Sequence, residues 1–195
     1  MNGNQFYAVK ANASDNVYAV GQQTGPSFPG KALVEHWDGL AWSVVRSPGD
    51  TTTVLPLGVE ATDSLPTSLT VVGQQETDKA PYTTSVAAGL ATALSIQSTP
   101  NIGTSENDLF GARLRPTAQP GPWVGTSMTL QRTTTTPLVL RGKNGVWSLV
   151  SSAKLTAGSD SGFAAITAVP DGGLWAVGVT SNSQGNYATL IEYHP

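Results

Sequence analysis

Stretches such as "FYAVKA" (6–11), "NVYAVGQQ" (16–23), "ALVEHW" (32–37) and "AWSVV" (41–45) are short, mostly apolar runs bounded by polar and turn residues. Such runs belong to strands, and each stretch is the length of a single one. The gaps between them hold turn residues. Asp38-Gly39 and Asn144-Gly145 stand where a tight hairpin needs positive φ angles. Ser14-Asp15-Asn16 and Asp171-Gly172-Gly173 interrupt other pairs of stretches in the same way. The start of the chain therefore reads as four consecutive antiparallel strands, A to D, at about 5–12, 16–23, 31–37 and 41–48.

The pattern recurs. "NVYAVGQQ", "SLTVVGQQ", "GPWVGTS" and "GLWAVGVT" place Gly21, Gly73, Gly125 and Gly178 at intervals of 52, 52 and 53 residues. "AWSVVRSP", "ALSIQSTP" and "VWSLVSSA" place Trp42, Leu94 and Trp147 at intervals of 52 and 53. Phe6, Phe110 and Phe163 open "FYAVKA", "FGARLR" and "FAAITA", and "LVEHWD" at 33–38 returns as "LIEYHP" at 190–195. A four-stranded antiparallel unit of about 50 residues, repeated, is the signature of a β-propeller blade. The expected fold is all-β: one β-propeller domain over 1–195 with blades at about 1–51, 52–104, 105–157 and 158–195. Trp37 and Trp42 flank the Asp38-Gly39 turn and are expected to cover the outer part of the first blade and pack on its neighbour. A lone twisted sheet cannot bury both of its faces.

Strand B ending in glycine, a polar segment, a strand ending in "HWDG" and a Trp-led strand ending in Pro together resemble the kelch repeat. They are similar, too, to bacterial propeller-like repeats that run Asn-Asp-Val-Trp-Ala-Val-Gly, then Glu-His-Trp-Asn-Gly, then Trp-Ser-Val-Val. Kelch units carry a glycine pair after strand B, whereas Gly21, Gly73, Gly125 and Gly178 stand alone here. The resemblance implies a ring of blades used as an interaction platform. It implies no particular reaction, because propellers host binding modules and enzymes alike.

The last unit stops after its strand C, so fifteen strands are expected where sixteen would complete four blades. Two arrangements remain open: a closed four-blade ring with a three-stranded last blade, or part of a larger ring. The open form would expose the edge of strand 188–193 and the apolar faces of the end blades, and self-association through them is expected.

Composition narrows the partners. Charged residues are 12% of the chain, about half the usual share. A net charge of −3 gives no electrostatic reason to approach nucleic acid. The absence of cysteine removes disulfides and thiolate metal sites. No apolar run approaches the ~20 residues of a membrane helix, so no membrane insertion is expected. Residues 1–30 show no signal-peptide pattern, although the expected location is extracellular or the cell surface.

Function on a rigid scaffold sits in its loops. The B–C segments, at about 22–31, 74–84, 126–136 and 179–187, read as long loops rich in hydroxyl and amide groups. Phe28, Tyr82 and Tyr187 supply single aromatics there and Arg132 a cation. Such a face suits hydrogen bonding to a protein or a glycan. On the third strand A, Arg113 and Arg115 alternate onto one face and could hold an anion, or pair structurally with Asp108 or Glu106. The expected function is a non-enzymatic scaffold binding a protein or glycan through the B–C face. The alternative is a glycan-active enzyme of sialidase or lyase type, with those two arginines on an acidic sugar.

Other motifs carry little. "PDGGLW" (170–175) misses the sialidase Asp-box spacing, and "SSAK" and "SDN" stand in the wrong order for a penicillin-recognising serine enzyme. The two histidines, His36 and His194, end equivalent C strands without an acidic cluster, so neither a metal site nor a cofactor is expected. "NAS" at 12–14 is a glycosylation tripeptide.

Overall fold

The structure, a computed structural model, describes residues 3–25, 28–45, 54–63, 67–77, 80–101, 106–114, 123–130, 135–143, 145–152, 160–169 and 173–195. They form fifteen strands in four antiparallel sheets, and no helix occurs among them. The first sheet holds β1 (Gly3–Ala13), β2 (Asn16–Gly25), β3 (Phe28–Trp37) and β4 (Trp42–Val44). The second holds β5 (Val54–Ala61), β6 (Ser68–Thr77), β7 (Ala80–Leu90) and β8 (Ala93–Gln97). The third holds β9 (Glu106–Leu114), β10 (Trp123–Leu130), β11 (Thr135–Lys143) and β12 (Val146–Val150). The fourth holds β13 (Ser161–Ala168), β14 (Leu174–Ser181) and β15 (Tyr187–His194). Strand order within each sheet follows chain order, so every sheet is a plain meander.

Each new sheet lays its first strand against the one before. β5 packs on β1, β2 and β3, β9 on β5, β6 and β7, and β13 on β9, β10 and β11. Three apolar cores fill the three junctions. Tyr18, Val20 and Val34 meet Val59, Leu69 and Leu94 in the first. Val72 and Val86 meet Leu109, Leu138, Leu140 and Trp147 in the second. Val139 meets Phe163, Ile166, Leu174, Ala176 and Leu190 in the third. Strand alternation thus gives each sheet one face for the sheet before it and one for the sheet after it. Among the described residues no closed ring is detected.

The repeated glycine has a physical cause. The first strand of each sheet carries a bulge, at Tyr7, Leu57, Phe110 and Ala164, seen as a step in its register with the second strand. The residue before the bulge pairs with the glycine: Phe6 with Gly21, Pro56 with Gly73 and Phe163 with Gly178. A Cβ at Gly21 would collide with the Gln5 carbonyl, one at Gly73 with that of Leu55, and one at Gly178 with that of Gly162. Only a residue without a side chain fits beneath the bulge.

The third sheet corrects the alignment. Leu109 precedes its bulge and pairs with Ser127, while Gly125 pairs with Ala112. Leu109 therefore takes the place of Phe6 and Phe163, and Phe110 is itself the bulged residue. A matching glycine anchor in the sequence concealed this slip of the ladder.

Two further expectations change. The B–C segments are largely strand: Gln22 pairs with Ala32 and Gln23 with Lys31, and Gln74 and Gln75 pair with Thr84 and Thr83. Ladder hydrogen bonds come from the backbone, so a polar run with solvent on both sides extends a hairpin as readily as an apolar one. Trp37 and Trp42, moreover, pack on each other, with ring centroids 5.8 Å apart, on the face of the first sheet turned away from the second. Their equivalents Leu94 and Trp147 do pack on the preceding sheet.

Candidate functional site

Each sheet has two ends. At one end lie the turns joining first to second and third to fourth strands. In the first sheet these are tied together, Trp37 Nε1 donating to Ser14 O at 3.1 Å. The Asp38 carboxylate accepts from Leu40 N at 2.9 Å and Ala41 N at 2.8 Å, and Gly39 supplies the φ of +93° that closes the turn. Those amide donors, Ala41 foremost and then Leu40, hold the Asp38 carboxyl below its ordinary value.

At the other end project the tips of the hairpins joining second to third strands. Phe28 opens β3 opposite Gly25, Tyr82 lies half-buried near the start of β7, and Tyr187 opens β15, exposed, opposite Ser181. These three residues therefore sit at the same end of three different sheets. No hydrogen bond or ring contact joins Tyr82 to Tyr187 among the described residues. Arg132 lies outside the described residues. In the fourth sheet the tip is shaped by Asn182, whose Oδ1 accepts from Gln184 N and Asn186 N, both at 3.0 Å.

Arg113 is engaged with Glu60, and the side chain of Glu106, one of its two expected partners, lies outside the described residues. Arg113 Nη1 donates to Glu60 Oε2 at 2.6 Å, and Lys10 Nζ stands 2.7 Å from Glu60 Oε1. The carboxylate is buried and the two cations are part-exposed. The three residues lie on β1, β5 and β9, the first strands of three consecutive sheets, each three places after its bulge. A buried carboxylate needs such partners, because losing hydration without them is costly. Arg115 falls outside the described residues, so its expected pairing with Arg113 on one face does too. The sequence signal for Glu60 was a lone acid in an otherwise apolar strand, "VLPLGVEA".

The histidines are far apart in role. His36 stacks on Tyr18 with centroids 4.4 Å apart, and its Nε2 lies 3.1 Å from Asn16 Oδ1. His194 is buried, with Nε2 3.6 Å from Glu192 Oε1. No three His, Asp or Glu side chains converge among the described residues. Asn12 donates from Nδ2 to Thr62 O at 2.8 Å, so the nitrogen a glycan would occupy is tying the first sheet to the second. A crevice between those sheets, lined by Val34, Pro56, Val71, Ala87 and Leu94 among others, has a volume of about 10 Å³. That is the size of one water, which leaves no room for a ligand there.

Among the described residues, the hairpin tips bring amide and hydroxyl side chains together with the exposed ring of Tyr187. No protein-family model matches the chain, and no curated protein matches it.

Proposed function

We propose that the chain is a β-propeller-type, non-enzymatic scaffold that binds a protein or glycan across the tips of its B–C hairpins. The arrangement of first strands supports the propeller reading. β1, β5, β9 and β13 are neighbours in succession, as sheets set around a common centre require. The kelch-like repeat residues agree with it. The observation that carries the binding reading is the tip end itself. Paired, stiff ladders present Gln, Thr, Ser and Asn side chains together with the exposed ring of Tyr187. Amphipathic rings beside amide and hydroxyl groups are the chemistry of polar-ligand recognition.

The test is to screen the chain against immobilised glycans and peptides, then replace residues 182–186 or 78–79 with a minimal turn. Binding should survive removal of any single carboxylate and be lost when a tip is replaced; retention after both tip replacements refutes the reading. The glycan-active alternative requires an Arg113 guanidinium released from Glu60. Product formed from acidic glycosides, and abolished in Arg113→Ala, would put that enzyme in place of the scaffold.

A further inference from the structure

The register identifies what each sheet face is for. On the face that receives the next sheet, the first sheet carries the cross-strand pair Val20–Val34 and the second carries Val72–Val86. These are among the most buried side chains of the molecule, Val20 at 0% and Val34 at 1% exposure. The fourth sheet has the same pair in the same register, Val177–Ile191, directly before its bulge glycine Gly178. It lies open, Val177 at 41% and Ile191 at 60% exposure. The neighbouring pair repeats as well. Tyr18 stacked on His36 in the first sheet corresponds to Trp175 against Tyr193 in the fourth, with centroids 5.1 Å apart and both rings exposed.

The first sheet shows the converse. The face by which a sheet docks on its predecessor carries the residue before the bulge, the residue two places after it and, where a fourth strand is present, the large side chain in its first two positions. These are buried in the second and fourth sheets as Val59, Leu94, Phe163 and Ile166, and in the third as Leu109, Ala112 and Trp147. In the first sheet they are Phe6, Val9 and Trp42, all exposed, Trp42 at 48% against 7% for Trp147. Among the described residues the first sheet thus leaves open a face of the docking kind and the fourth a face of the receiving kind, matching halves of a junction that occurs three times between the sheets.

We propose that these two faces dock on each other between copies of the chain, head to tail, the first sheet of one copy seating on the fourth sheet of the next. Among the described residues every receiving face that is covered is covered by a sheet of this same repeat, which selects a second copy as the occupant. The contact is heterologous, so it either closes into a ring or runs on. The inference rests on the sheet faces and is independent of what the hairpin tips bind.

The test uses the whole chain and two variants at exposed positions, Val9→Asp on the docking face and Ile191→Asp on the receiving face. Far-UV circular dichroism checks that both keep the strand signal, with Phe6→Asp and Tyr193→Asp as second variants for the same two faces. Sedimentation velocity should show concentration-dependent association of the wild type, weakened about tenfold or more in either variant, since a carboxylate would be buried in an apolar contact. An equimolar mixture of the two variants should form a one-to-one dimer and nothing larger, because each brings one intact face. A wild type that stays monomeric as concentration rises overturns the proposal. So does association that persists in both variants, which would place the contact at the edges of β4 or β15. A mixture without dimers would overturn it too.

Discussion

The second sheet is covered on both faces, whereas the first and fourth are each covered on one, yet the residues on covered and open faces are of the same kind. Phe6 and Phe163 make the contrast concrete. Each precedes the bulge of its first strand and pairs with the repeat glycine, but Phe163 is 0% exposed and Phe6 46%. Burial in this molecule is decided by whether a neighbouring sheet is present, and the choice of residue only makes a face ready for one. Stability should then be a sum of similar sheets and similar junctions between neighbours.

The largest expected effect breaks that contrast most directly. Phe163→Ala should cost about 3–5 kcal/mol through the cavity it leaves, and Phe6→Ala within about 0.5 kcal/mol, by urea unfolding in dilute solution. Equal losses would mean that the first sheet is covered after all. Arg113→Met should cost about 1–3 kcal/mol by weakening the hold on a buried carboxylate, and it touches only the inner junctions. Gly73→Ala and Gly21→Ala should each cost about 1–3 kcal/mol and should match each other, because the collision lies within one sheet and ignores its neighbours. A large difference between the two would tie the bulge to sheet packing.

The smallest effect depends on pH. Asp38 has a depressed folded-state pKa, so its share of stability is fully present above the unfolded value, about pH 4. It is lost as pH falls through the lower folded value. Asp38→Asn should remove that acid-limb increment in melts recorded from neutral to acid pH, leaving the junctions unaffected.

Much of the fold was legible because its determinants are local. Short apolar runs between turn residues marked the strands, and Asp38-Gly39 marked a turn whose φ and side-chain bonds are as that pair requires. The glycines showed the repeat period because three of them sit beneath a bulge carbonyl. What escaped has non-local or backbone causes. The polar Gln-Gln-Thr run gave no sign that β2 continues to Gly25, since its pairing needs no apolar side chain. The slip at Phe110 hid behind Gly125, because a bulge shifts the ladder without changing composition. The link from Lys10 through Glu60 to Arg113 joins residues about a repeat apart, and neither charge nor spacing in any one unit announces it. The sequence assigned Phe28, Tyr82 and Tyr187 to B–C loops, whereas all three lie in strands next to the hairpin tips.

That charged trio also constrains how the chain can have been put together. The position three residues after the bulge is Lys10, Glu60, Arg113 and Thr167 in the four sheets, so it alternates in sign and then falls neutral. Any order that took the acid from between the two cations would leave the buried carboxylate with one charged partner or none. Otherwise similar segments thus acquire addresses, and their order along the gene is written into the protein as electrostatics.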